Sequence, residues 1–349
     1  MKGNDLAPLF LHKAFIYRFK SLTHQIRPQF QPPKKSGMLK LITPEFVPAH
    51  APILTIPPEI IAEILTLLSP FPLPISIPPN ILDPFWAATQ ACTQWRHMAL
   101  TSPRLWSSLS IEFPQCVDDC TFQKTIQAAT ECLRRSHPVP LLVTLALQAL
   151  PRNQYKHKYY YTEDSTPLSS LSFLAPHAPR IESLSLKTLS DLSSRELAFT
   201  FPNLHHLDVD VPDYQYRMHL TTFITRSGDA ITYLNIRYPL TSGDWCKILT
   251  RTRHLTELLT PNPLPCAVVR TMAVCAICPN LQTLRCSLYK EASDEFLEML
   301  ETRQGVMRHV TVECMKFGFE EEQRRRVSTI REKGMNVEVL EPPAWCMYN

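Results

Sequence analysis

The stretch that decides the fold is residues 53–113, which read ILTIPPEIIAEILTLLSPFPLPISIPPNILDPFWAATQACTQWRHMALTSPRLWSSLSIEF. It predicts a helix that begins at Pro57 and Pro58, because the first turn of a helix does not use its amide N–H groups. Glu59 and Glu63 then place negative charge near the positive end of the helix dipole. Apolar residues recur at steps of three and four and give this helix one apolar face: Ile60, Ile61, Ile64, Leu65 and Leu68.

A second helical pattern covers residues 85–100. Arg96 and His97 are predicted to face solvent. Two interpretations of the pair of helices stay open: an ordinary helical hairpin in a core, or a hairpin that leaves part of its apolar face for another protein. The repeating face of the second pattern contains Phe85, Trp86, Thr89, Cys92, Trp95 and Ala99.

Two groups of residues in this stretch resemble the F-box. Residues 56–65 match its hydrophobic-Pro-x-Glu opening, and residues 92–96 match its later Cys-x-x-Trp-Arg helix. The continuation over residues 100–109 is similar to the form found in F-box-like proteins of mushroom-forming fungi. The resemblance implies a Skp-type adaptor as partner and, through it, a cullin scaffold. The positions that match F-box anchors, some of which must pack the module internally, are Ile56, Pro57, Ile60, Ile61, Ile64, Leu65, Cys92 and Trp95.

The sequence departs from the F-box pattern between the two helices. The usual short connection is replaced by residues 69–83, which carry Pro70, Pro72, Pro74, Pro78 and Pro79. Proline at this density forbids a regular helix and favours extended geometry, so we predict a surface excursion here.

A repeat begins near residue 178. Six units with an L-x-x-L-x-L core start at residues 181, 204, 231, 255, 281 and 307, so successive starts are separated by 23 to 27 residues. This period is typical of leucine-rich repeats, in which each unit is a helix, a turn and a short strand. A helical segment precedes most strands, with its last apolar residue about seven positions upstream: Leu197, Ile224, Leu249, Val274 and Leu300.

The repeats are degenerate. Three units have Pro212, Pro239 and Pro263 where a regular leucine-rich repeat has an Asn or Cys ladder, so backbone groups in the turns need other partners. Outside the six units, alternation predicts strands at residues 107–113 and 141–147 and a last strand at 335–340. Helical spacing predicts a helix at residues 121–135 and a charged helix at 319–333.

The composition narrows the classes of function. A net charge of +4 on 349 residues gives no argument for nucleic acid as a partner. The apolar run at residues 53–82 contains seven prolines, which a lipid-exposed helix could hardly tolerate, so we expect no membrane span. The 11 cysteines lack a framework spacing and predict reduced core thiols, which suits a cytoplasmic or nuclear protein.

Residues 1–50 are basic and carry an imperfect amphipathic stripe. Two interpretations remain: a loosely ordered extension, and a mitochondrial presequence.

Motifs that carry chemistry are absent from the sequence: it has no nucleophile elbow, no H-E-x-x-H and no phosphate-binding glycine loop. Cys275 and Cys278 have zinc-like spacing but lack a second pair, which favours two buried thiols on an apolar helix over a metal site. Of His205 and His206, alternation places one on the concave face, where Asp208 and Asp210 add negative charge. We therefore expect no catalytic residues, no metal and no cofactor.

The sequence thus predicts an α/β protein with a basic extension (residues 1–50), an F-box-like helical module (51–113, with the insertion 69–83) and a leucine-rich-repeat-like solenoid (114–349). The resemblance implies a non-catalytic substrate-recognition subunit of an SCF-type ubiquitin ligase. Two alternatives stay open: a non-ligase protein-binding scaffold that keeps the F-box shape, and an enzyme of unrecognised type on a repeat scaffold.

Overall fold

The computed structural model describes residues 56–75, 83–113, 119–147, 171–187, 199–210, 217–274, 277–314 and 318–340. The predicted extension at residues 1–50 and the second half of the Pro-rich insertion, 76–82, lie outside these ranges.

The described part is built on one parallel sheet whose ten strands follow one another in sequence order. Parallel neighbours need a crossover connection, and helices supply most of these crossovers here. This arrangement confirms the α/β class and the solenoid-like alternation of helices and parallel strands. The strands are β1 (Leu73–Ile75), β2 (Ser108–Phe113), β3 (Leu141–Leu147), β4 (Ile181–Lys187), β5 (His206–Asp210), β6 (Tyr233–Ile236), β7 (Glu257–Pro263), β8 (Thr283–Leu288), β9 (His309–Cys314) and β10 (Asn336–Leu340).

Nine α-helices lie in the described ranges, and the later ones form a second layer in which α5 contacts α6, α6 contacts α7, α7 contacts α8 and α8 contacts α9. The helices are α1 (Pro58–Leu68), α2 (Pro84–Thr89), α3 (Thr93–Thr101), α4 (Asp119–Arg135), α5 (Arg217–Ser227), α6 (Ser242–Arg251), α7 (Cys266–Ala273), α8 (Ser293–Thr302) and α9 (Glu321–Glu332). Short 3-10 helices occupy Pro103–Trp106 and Leu171–Arg180.

Each predicted repeat unit buries its three core positions. In the unit at residues 281–286, Leu281 and Leu284 are fully buried and Cys286 is 2 % exposed. The parallel register aligns the middle positions of neighbouring units, so that Leu234 pairs with Leu258 and Leu258 with Leu284. Burying one such side chain stabilises the fold by about 1.5–3 kcal/mol, which explains why this pattern survives the degenerate turns.

One predicted core position is wrong. Val274 is 76 % exposed, because α7 ends at Ala273 and its buried face is formed by Val268, Val269 and Met272 instead. The helix is also shorter than predicted, so Cys278 follows it rather than lying on it, with a left-handed φ of 46°.

Side chains in the turns before the strands bond to backbone carbonyls of the preceding unit. The Asn203 side chain donates to the carbonyl of Pro179, and the Asn280 side chain donates to the carbonyl of Arg253, in each case across to the preceding unit. The Thr256 hydroxyl donates to the carbonyl of Thr232 at 3.0 Å. These bonds lie in the turns before the strands, and the predicted need for partners after the strands, at Pro212, Pro239 and Pro263, stays a prediction; Pro212 lies outside the described residues.

Two features of residues 56–113 differ from the prediction. The helix expected over residues 85–100 is two helices, because Gln90 and Ala91 form a turn and Cys92 is extended, with φ −157°. The Pro-rich insertion is not a surface excursion over residues 73–75, because these form β1 at the sheet edge and bury Leu73 and Ile75. An edge strand tolerates Pro74, since one side of the strand has no hydrogen-bonding neighbour.

The sheet runs through the predicted boundary at residue 113. Strand β2 belongs to the F-box-like stretch and pairs with β3 of the solenoid. Trp106 connects the two parts: its indole N–H donates to the carbonyl of Ala99 at 2.7 Å, and its ring contacts Phe85 at 6.1 Å between centroids. The guanidinium of Arg135, at the end of α4, lies 5.0 Å from the Trp106 ring centre. The helical module is therefore packed on the first strands of the solenoid.

Arg303, at the end of α8, is buried at 2 % exposure. Its guanidinium donates to the carbonyls of Met272, Ile277 and Cys278 at 2.6 to 2.8 Å. These carbonyls belong to the end of α7 and to the loop after it, where helix geometry leaves backbone acceptors without partners. Arg303 thus fixes the loop that leads into β8.

Candidate functional site

Helix α1 exposes a line of apolar side chains, which we call the α1 outer face: Pro57, Ile60, Ile64 and Leu67. Ile60 is 49 % exposed and Leu67 is 83 % exposed, while Ile64 is half-buried between them. Residues spaced three and four apart lie on one side of a helix, so these side chains form a single stripe. Phe71, just beyond the helix, is 77 % exposed and extends the apolar surface at this end.

The opposite side of α1 holds the helix in place. Ile61 and Leu65 are fully buried, and the helix packs against α2 and α3. The side-chain amide of Gln94, on α3, donates to the carbonyl of Ile56 at 3.4 Å. Ser69 ends the helix, and its N–H donates to the carbonyl of Leu65. With this side committed to the core, the outer face is the part of α1 available to another molecule.

The eight residues predicted to bind an adaptor divide by exposure. Pro57 and Ile60 are exposed and belong to the α1 outer face. Ile56, Ile64 and Cys92 are half-buried and pack against the core, and the exposed part of Ile64 also belongs to the α1 outer face. The remaining three, Ile61, Leu65 and Trp95, are buried and stabilise the helical module rather than presenting a surface.

Sequence reasoning missed Leu67 and Phe71. Leu67 follows Ile60 by seven residues, a spacing that returns to the same side of a helix, so the signal was present. Large exposed apolar side chains grouped in one place are typical of protein interaction sites. The neighbouring Glu59 and Glu63 are exposed and would leave negative charge at the border of this surface.

A second candidate surface is the open face of the sheet, the side opposite the helices. Its central strands carry His206 and Asp208 on β5 and Tyr233 and Asn235 on β6. The rings of His206 and Tyr233 are stacked, with centroids 3.8 Å apart and an angle of 6° between their planes. The Asn235 amide donates to a carboxylate oxygen of Asp208 at 2.9 Å.

The structure shows which of the two histidines lies on the open face and which partners the two aspartates have. His206 lies on the open face, whereas His205 precedes the strand and its ring nitrogen lies 3.0 Å from the carbonyl oxygen of Ala230. The Arg237 guanidinium lies 4.0 Å from Asp208 and 3.7 Å from Asp210. Both carboxylates are therefore neighbours of a cation, and their arrangement is that of a surface ion-pair group.

Burial of the imidazole lowers the pKa of His206 from its ordinary value of 6.5, and the nearby carboxylates of Asp208 and Glu257 oppose this shift only in part. A lowered folded-state pKa means that the unfolded chain binds the proton more tightly. We therefore expect the contribution of His206 to stability to be complete above pH 6.5 and to be lost as the pH falls through the folded-state pKa.

Replacing His206 with phenylalanine, which keeps a ring against Tyr233, is expected to reduce the loss of stability between pH 6.5 and 5. Urea unfolding of the His206→Phe variant and the wild type at several pH values measures this difference, and NMR titration of the imidazole gives its pKa directly. Equal pH dependence of both proteins, or a midpoint above 6.5, would contradict the expectation.

No family model matches this chain, and no curated protein matches it. None of the helices in the described ranges is both long and apolar enough to cross a membrane.

The cysteines of the described ranges are free thiols. Burial raises the pKa of Cys132 to about 12 and that of Cys278 to about 11, so these thiols are protonated and weakly nucleophilic at neutral pH. Cys278 donates to the carbonyl of Leu249 at 3.3 Å. Its zinc-spaced neighbour Cys275 lies outside the described residues, and within them no three His, Cys, Asp or Glu side chains are placed to hold a metal ion.

Proposed function

We propose that this chain is the substrate-recognition subunit of an SCF-type ubiquitin ligase. In this role α1 and its neighbours bind a Skp-type adaptor, and through it a cullin scaffold, while the solenoid holds a target protein. The observation that carries the proposal is the α1 outer face: a helix whose residues resemble the F-box opening presents Ile60 and Leu67 to solvent while its other side is fixed in the core.

The mechanism needs no catalytic residue on this chain. Holding the target and the ligase on one body raises the effective concentration of target lysines near the ubiquitin-charged enzyme. Such a subunit would work in the cytoplasm or the nucleus. The open face of the sheet supplies the second surface that the role requires.

The test is binding of the full chain to a purified Skp adaptor, measured by isothermal titration calorimetry. A charge placed in a desolvated apolar contact costs several kcal/mol, and each 1.4 kcal/mol is a tenfold change in Kd. We therefore expect Ile60→Asp and Leu67→Asp each to weaken binding at least about 100-fold.

A matched control is Val306→Asp, which introduces the same charge at another exposed apolar residue, one that is 40 % exposed in the turn after α8. It should bind the adaptor as the wild type does, and circular dichroism should show all three variants folded. The proposal is wrong if the folded wild type does not bind, or if Ile60→Asp binds as well as Val306→Asp.

The alternative, a protein-binding scaffold that keeps the F-box shape, is favoured by one observation. The Pro-rich insertion adds β1 to the sheet and leaves Phe71 exposed close to α1, so a Skp-type adaptor would meet a surface altered beside the outer face. Absence of adaptor binding by folded protein would leave this alternative standing.

A further inference from the structure

Three side chains form a continuous row across the open face of the sheet. The strand register places His206 of β5 opposite Tyr233 of β6, and Tyr233 opposite Glu257 of β7. Neighbouring strands are about 4.8 Å apart, so side chains in one row touch or nearly touch.

The Tyr233 ring has two different sides in this row. One side is covered by the His206 ring, 3.8 Å away between centroids. The other side faces β7, the strand that carries Glu257. Both rings are only half-buried. The side of the Tyr233 ring that faces β7 is therefore a flat aromatic surface next to the Glu257 carboxylate.

Glu257 differs from the other carboxylates of this region. Asp208 accepts hydrogen bonds from Asn235 and Ser185, and Asp210 lies close to Arg237. The side chain of Glu257 has no hydrogen bond or ion pair with any residue of the described ranges.

Within the described ranges, the surroundings of Glu257 supply an apolar contact and no cation that pairs with its carboxylate. Leu259 lies two residues further along β7, on the same side of the strand, and is half-buried. Arg237 is held on the β5 side by Asp208 and Asp210. Arg285 is paired in register with Leu259 and makes no ion pair with Glu257.

We propose that Tyr233, Glu257 and Leu259 form a recognition site for an arginine side chain of the target protein. The planar guanidinium stacks on the open side of the Tyr233 ring and donates two hydrogen bonds to the Glu257 carboxylate, and the aliphatic part packs on Leu259. Such a site prefers arginine over lysine, because the guanidinium is planar and can stack and donate two hydrogen bonds at once, whereas the lysine ammonium cannot. This inference rests on the proposed function, in which the solenoid holds a target.

The test uses N-acetyl-arginine amide as the probe and N-acetyl-citrulline amide, which has the same shape without the charge, as its control. NMR of the full chain follows the Leu259 methyl groups and the His206 ring during each titration. The arginine compound should shift both signals, and the citrulline compound should not. Glu257→Gln and Tyr233→Leu should each weaken the response at least tenfold, whereas Tyr233→Phe should retain it.

Glu313→Gln removes another exposed carboxylate of the same sheet face, on β9, and should leave the titration unchanged. Equal shifts with both compounds, or an unchanged response in Glu257→Gln, would overturn the proposal.

Adaptor binding through α1 is measured on the same proteins. If the wild-type protein binds the adaptor but shows no specific response to the arginine compound, only the arginine site is rejected. If wild-type protein does not bind the adaptor, the ligase role is rejected instead.

Discussion

Replacing Arg303 with alanine is expected to lower the free energy of unfolding by about 4 kcal/mol, since the change leaves buried polar groups unpaired and creates a cavity. Three backbone carbonyls, those of Met272, Ile277 and Cys278, each lose a donor at once, and those of Met272 and Cys278 keep only a backbone N–H, from Val274 and Leu281. Each lies in or next to the loop between α7 and β8, where Cys278 adopts a left-handed φ of 46°. Without the guanidinium, the loop loses the hydrogen bonds that stabilise this conformation.

Urea unfolding followed by circular dichroism measures the effect. Arg308→Ala is the matched control, because it removes an exposed arginine five residues later, and its cost should stay within about 0.5 kcal/mol. Arg303→Met fills most of the space but leaves the carbonyls unpaired, so its cost should be smaller than that of alanine. A loss below about 1 kcal/mol for Arg303→Ala would show that water satisfies these carbonyls instead.

The second large effect is expected for Trp106→Ala, which should cost about 4 kcal/mol. This ring is 2 % exposed, packs against Phe85 and Trp86, and lies under the Arg135 guanidinium. Its removal deletes a buried contact that joins helix α2 to the end of α4. It also leaves the Ala99 carbonyl without its donor.

Trp106→Phe serves as the comparison, because it keeps an aromatic ring and loses the indole N–H. Its cost should be about 1–2 kcal/mol, the sum of one buried hydrogen bond and a small cavity. Thermal and urea unfolding of both variants measure these costs. Equal stability of Trp106→Ala and the wild type would mean that the helical module and the sheet do not depend on this contact.

The solenoid could be predicted from the sequence, because side chains on a strand are buried alternately and the buried positions of each unit are apolar. The three apolar positions of each unit, such as Ile231, Leu234 and Ile236, are buried in the structure as the pattern predicts. The unit that contains β2 is hidden in the sequence because Trp106 takes the place of its first leucine. Its remaining positions, Leu109 and Ile111, are fully buried on β2.

Other elements had no clear signal. Nothing such as Gly or Pro marks the turn at Gln90 and Ala91, and the apolar spacing continues through it, so one helix was predicted where two exist. The opposite error concerned β1: its prolines suggested a surface segment, whereas Leu73 and Ile75 gain enough burial at the sheet edge to hold a short strand there.

The candidate sites were partly predictable. Ile60 was identified from helical spacing, and the same spacing extended by one step would have added Leu67. The open-face row was hidden by sequence distance, but His206, Tyr233 and Glu257 occupy the same column when the repeat units are aligned. The burial of Arg303 could not be predicted, since a lone arginine after a helix is usually solvated.

The unbroken sheet has a geometric consequence. Strand β2 carries the helical module and is joined to β7 through four intermediate strands, so the described strands between the two candidate surfaces form one hydrogen-bonded sheet. Five strand spacings correspond to about 24 Å across the sheet. Under the proposed function, the strand that carries the recognition residues sets the distance between the bound target and the adaptor. Moving these residues by one strand displaces the target by about 5 Å. A different lysine of the target would then be modified.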